Sequence, residues 1–131
     1  MKALTLTQPW ATLVALGHKK IETRSWGTRY RGPIAIHAAK GFPAKAREFA
    51  SREASLGRCP QRIPLASVIA KAKLVEVYRT EDIVLAISGL ERHLGDFSFG
   101  RFAWMLEDVE AFAEPIGARG ALGLWEWTDP R

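Results

Sequence analysis

Apolar and polar residues along this chain change period several times, and each change marks an expected element. Residues 3–6 are short and β-prone. Thr7, Gln8 and Pro9 then read as a helix start, with Pro9 in the first turn and Thr7 or Gln8 as the cap. Trp10, Leu13 and Val14 fall at i, i+3 and i+4 on one apolar face, and Gly17 supplies a left-handed stop. Residues 20–26 switch to period two: Ile21, Thr23 and Ser25 share one face, while Lys20, Glu22, Arg24 and Trp26 share the other. An ionic strand face beside a short helix needs an explanation.

Residues 33–39 predict a second strand with Ile34, Ile36 and Ala38 on one side and Ala35, His37 and Ala39 on the other, small opposite bulky, as a tightly curved sheet requires. A helix is expected over 43–56, rich in Ala, with Phe49 inward and Glu48 and Arg52 paired at i, i+4. After a loop at 57–64, residues 65–78 form a long β-prone run that places Val68, Ala70, Ala72, Leu74 and Glu76 on one face in the absence of a bulge. Thr80 is expected to cap a short helix that stops near Gly89, with Glu81 and Asp82 in its first turn. Residues 102–107 and 120–127 are the last strands, after a loop at 95–100. Short strands broken by helices predict one α+β domain, residues 1–131, around a strongly bent or closed sheet.

Composition narrows the class. A length of 131 residues with 47% hydrophobic and 25% charged side chains describes a single folded domain and excludes disorder, fibrous repeats and a multidomain machine. The apolar runs fall well short of the ~20 residues a membrane-spanning helix needs. With one cysteine, Cys59, and no leader-like N-terminal pattern, a cytoplasmic protein without disulfides is expected. His18 and His93 lack partners at metal-ligand spacing, so neither metal nor cofactor is expected. Residues 1–62 hold 12 basic and 3 acidic side chains, whereas residues 63–131 hold 7 and 11. The basic half fits polyanionic or phosphate-bearing partners, and equally a set of solvated arginines.

Candidate chemistry centres on the ionic face. Glu22 and Arg24 lie about 6 to 7 Å apart along one strand face. They either pair with each other or present an acceptor and a forked donor to one ligand, such as a base edge. Lys19, at the turn before the strand, can reach a phosphate or, when desolvated, act as a base. Trp10 and Trp26 adjoin these charges and are the aromatic residues best placed to stack on a base; Tyr30, Trp104, Trp125 and Trp127 read as core. His37 can bond a phosphate or hydroxyl, or be a satisfied structural histidine. No phosphate-binding glycine loop or GxSxG elbow occurs.

Leu4, Thr5, Leu6, Gln8, Pro9, Trp10 and Ala11, followed by Gly17, Lys19, Glu22 and Arg24, resemble the opening of the ASCH domain, whose signature is GxKxxExR after a strand and helix. The resemblance continues through residues 32–39, 65–77, 102–106 and 120–125. It implies a PUA-like fold, a mixed β pseudobarrel with short helices covering its openings, and RNA or a modified nucleoside as partner. Gln8, Trp10, Lys19, Glu22, Arg24, Trp26 and His37 are then the candidate ligand-binding residues. Some small ASCH proteins are amidohydrolases on acetylated cytidine, with a motif Lys as base, a Thr nucleophile three residues on and a Glu elsewhere. Here Lys19 matches, but Glu22 holds the nucleophile's place and Thr23 points to the opposite face. A hydrolytic variant would use Glu22 as general base with Lys19 or Arg24 on the oxyanion; a ribonuclease would draw on Lys19 and His37.

Overall fold

The computed structural model describes all residues from Met1 to Arg131. Six strands form one sheet in the order β2-β5-β4-β3-β1-β6: β1 Lys2–Leu6, β2 Ile21–Arg24, β3 Gly32–Ala38, β4 Ser67–Arg79, β5 Phe102–Gly117 and β6 Leu124–Glu126. β1 runs parallel to β3, and every other neighbouring pair is antiparallel. The sheet curls into a half-barrel whose edge strands, β2 and β6, share no ladder. This is the mixed PUA-like α+β architecture expected. Helix α1, Trp10–Ala15, sits against the concave face, and its Ala11 and Val14 meet Leu4, Leu6, Ile34, Ile36, Leu74 and Trp104 in the main core.

The period-two expectations hold where one face is buried. Ile34, Ile36 and Ala38 enter the main core, while Ala35 joins Ala3, Val68 and Trp127 in a second cluster on the convex side. Gly17 has φ of +83° and its N–H closes the α1 terminus on Val14 O, as its position predicted. Gln8 works as a brace: its Oε1 accepts from the Thr12 N–H at 2.9 Å, and its Nε2 donates to Thr12 Oγ1 and Pro64 O.

Other expectations are corrected. β5 extends to Gly117 instead of ending at Glu107, because ladder bonds to Ser67–Lys73 define its far half while both of its faces stay largely exposed. Three register shifts in the β4–β5 ladder take Glu76 off the buried face, where it pairs with Arg31 at 2.7 Å. Thr80 is not a cap: α3, Thr80–Ile83, has no side-chain cap, and the buried Thr80 hydroxyl donates to Ser98 O at 2.7 Å. Gly89 begins a helix instead of ending one. That helix, α4, Gly89–Leu94, is capped by Ser88, whose Oγ accepts from the Glu91 N–H at 3.1 Å. In α2, Ala44–Ser55, Arg52 lies over the Phe49 ring at 6.0 Å instead of against Glu48.

Candidate functional site

The ionic face of β2 opens onto a cleft of about 450 Å³, bounded by α1, α4, the loop after α4 and the start of β5. Glu22 faces Trp104 across the β2–β5 ladder, so it points inward with the core and is 9% exposed. It survives there because cations surround it. Arg24 Nε lies 3.0 Å from Glu22 Oε2, though off the axis of a hydrogen bond, and Lys19 Nζ lies 3.7 Å from Glu22 Oε1. The Arg24 Nη2 donates to the carbonyl of Thr5 in β1. A side chain thereby bridges β2 to β1 where no strand ladder does.

Lys19 is almost fully buried, at 1% exposure, and its Nζ donates to Leu94 O at the end of α4 at 2.9 Å. Burial pushes its amine below the ordinary lysine value, against the opposing pull of Glu22 and Glu91. Gly95 makes this approach possible: a Cβ there would lie 2.7 Å from the Phe97 ring and 3.3 Å from Lys19 Nζ. Glu91 fastens α4 to β2 by accepting from the Lys20 N–H at 2.6 Å, and burial raises its carboxyl.

An aromatic wall faces these charges. Trp10 stacks on Phe49 with centroids 5.3 Å apart, and Phe49 meets His93 at 5.3 Å. Asp96 and Arg101, 3.5 Å apart, complete the rim. Thr23, expected on the opposite face, also lines this cleft, where its hydroxyl accepts from the Asp96 N–H at 3.1 Å.

The structure thus brings together four of the residues read from the sequence: Trp10, Lys19, Glu22 and Arg24. Three lie elsewhere. Gln8 is the buried brace of α1, and Trp26 packs edge-on against Trp104 at 4.9 Å, closing the core. His37 lines a separate cavity beside Arg119 and Gly120, so Lys19 and His37 do not converge. Phe49, His93, Asp96 and Arg101 enter the cleft without having been read as site residues. The Glu22-to-Arg24 spacing marked β2, but no local pattern reports that α2, α4 and the following loop fold over it.

A profile of the ASCH domain matches residues 4–115. The chain belongs to the ASCH domain family. Among solved structures it is similar to the ASCH protein from Zymomonas mobilis, at 17% identity and a TM-score of 0.55 over 88% of this chain and 72% of that one. Two point mutants of that protein match alike, with TM-scores of 0.55 and 0.54, 17% and 19% identity, 88% of this chain covered in each case, and 74% and 72% of theirs. At that identity the likeness shows the fold, and the ASCH fold is where the cleft sits. A search of curated protein sequences gives no match. No helix is long and apolar enough to cross a membrane.

Proposed function

We propose that this ASCH domain binds RNA or a modified nucleoside, taking one base into the cleft. The observation that carries this reading is the side-by-side placement of Glu22 and Arg24 opposite the Trp10–Phe49 wall. A carboxylate and a forked guanidinium offer an acceptor and donors to one base edge, while an aromatic face accepts any base by stacking. The cleft's volume of about 450 Å³ falls within the range of small-molecule sites. The basic half of the sequence supplies phosphate attraction along an RNA chain.

Calorimetric titration of wild type and Glu22→Gln with the four nucleosides and acetylated and methylated cytidine tests the reading. The expected result is a change in rank order among bases, because the amide replaces an acceptor-only group with a mixed one. A uniform change, or none, makes Glu22 an orienting residue and removes it from base reading.

The position of Lys19 favours a second reading, a hydrolase for N-acylated nucleosides. A buried amine with lowered proton affinity sits 3.7 Å from a carboxylate at the base of an open cleft. Glu22 would take a proton from water as it adds to the acyl carbon. Arg24 or Lys19 would stabilise the oxyanion, and the proton would pass to the departing amine as the C–N bond breaks. An acyl-threonine route is disfavoured, since Glu22 holds the nucleophile's place and the hydroxyl of Thr23, at the cleft rim, is engaged by the Asp96 N–H. Turnover of acetylcytidine by wild type, lost in Glu22→Gln with binding retained, would put this reading first.

A further inference from the structure

We infer that His93 reads a phosphate carried by the bound nucleoside, with its protonated ring donating from Nδ1 into the cleft. This deepens the base-binding proposal above and rests on it.

The inference starts from Glu53, a glutamate on α2 that is 1% exposed and held in a fork by Arg58: Nε reaches Oε1 at 2.8 Å and Nη2 reaches Oε2 at 3.0 Å. That guanidinium holds the carboxyl below the usual glutamate range, so Glu53 stays an anion and only accepts. His93 Nε2 lies 3.2 Å from Glu53 Oε2. Facing an obligate acceptor, Nε2 carries a proton in either charge state of the ring, and Nδ1 is the nitrogen that changes. Nδ1 has no protein partner, and the His93 side chain is 48% exposed on the cleft wall. Packing against Phe49 fixes the ring plane. An imidazole oriented by a buried, clamped carboxylate, with its second nitrogen unpaired on a residue that lines the cleft, is a built contact.

Charge selects the ligand. Lys19, Arg24 and Arg101 face Glu22 and Asp96 in the cleft, leaving one positive charge in excess. Arg58 balances Glu53, Arg52 lies over the Phe49 ring, and on α4 itself Arg92 turns away to Val84 O while Glu91 binds the Lys20 N–H. Protonation of His93 therefore adds a second uncompensated charge at the mouth, paired with a donor. A phosphate gains from both, whereas a neutral sugar hydroxyl gains little.

The test titrates wild type, His93→Gln and His93→Lys with cytidine, cytidine 5′-phosphate and the dinucleotide CpC at pH 5.5 and 8. The CpC diester keeps one charge throughout, so any pH dependence of its binding belongs to the protein. Wild type should prefer a phosphate-bearing probe over cytidine by about tenfold at pH 5.5, falling to about twofold at pH 8. His93→Gln should show the weak preference at both values, and His93→Lys the strong one at both. Preference for CpC identifies an RNA chain as the phosphate source; preference for the monophosphate identifies a free nucleotide. A CpC preference in wild type that ignores pH, or one that His93→Gln leaves intact, overturns the inference while the base-binding reading stands. Failure of cytidine and both phosphate probes to bind at either pH overturns both.

Discussion

Two polar clusters meet at Thr5, one on each side of β1, and they are completed in opposite ways. On the convex side, Trp125 Nε1 donates to Thr5 Oγ1 at 3.1 Å and His37 Nε2 lies 2.7 Å from Ala118 O. A carbonyl only accepts, so Nε2 carries a proton toward Ala118 O, and Nδ1 lies within hydrogen-bond distance of the Thr5 hydroxyl, at 3.0 Å. Both ring nitrogens are used, and Gly120 closes over them. On the concave side, the Thr5 carbonyl takes one donor from Arg24, while Glu22, Arg101 and His93 keep hydrogen-bonding capacity facing an open cleft. A buried polar network whose members are all paired holds the fold together. One that stops short of pairing leaves groups for a ligand.

The largest effect that would break this comparison is Gly120→Ala. A Cβ there would lie 2.7 Å from His37 Cε1 and 2.8 Å from Thr5 Oγ1, so the network must open. The expected cost is about 2–4 kcal/mol of stability, seen as a Tm lower by about 10 °C, with nucleoside affinity of the folded protein unchanged. A wild-type Tm would mean that the convex network carries no stability.

Trp10→Ala sharpens the comparison from the other side. It should weaken nucleoside binding by about 1–3 kcal/mol in calorimetric titration, the worth of one stacked base, and leave the His37 network intact. Unchanged affinity would take the aromatic wall out of the site.

The smallest expected effect concerns pH and Lys19. Its folded-state affinity for a proton is lowered by burial, so the unfolded chain binds that proton more tightly. The cost of keeping the amine charged is present below the folded value and is relieved as pH rises toward the ordinary 10.5. Measured by urea unfolding, wild type should therefore gain stability relative to Lys19→Met between pH 7 and pH 10. A constant difference would show an amine as easily charged in the fold as outside it.

What was legible in the sequence follows the same division. Strand faces packed on one core, such as Ile34 and Ile36, announce themselves by period two, and the ionic face of β2 stood out because it broke that pattern. The far half of β5 and the start of α4 did not. Between residues 107 and 117 only Val109, Phe112 and Ile116 are half-buried, a spacing without period two, so backbone pairing defines the segment, and Gly89 reads as a stop until Ser88 is seen capping the next helix. His93 and Arg101 were invisible as site residues because tertiary folding, acting through Glu53 and the turn into β5, brings them to Lys19.

The overhang of β5 has a further consequence. β2 pairs only with Phe102–Met105 of this strand, so from Glu107 to Gly117 the strand bonds to β4 alone and its other edge is unpaired. An open edge of this length is a template on which another copy of the chain could stack. Glu107, Asp108, Glu110, Glu114 and Pro115 lie along it, and Asp108 takes a φ of +52° that interrupts its regularity. Repulsion between like edges and a residue without an amide hydrogen both oppose such stacking. Acidic residues of the C-terminal half are thus gathered on the one edge where another copy could pair, whereas the basic excess of the chain lies in its N-terminal half.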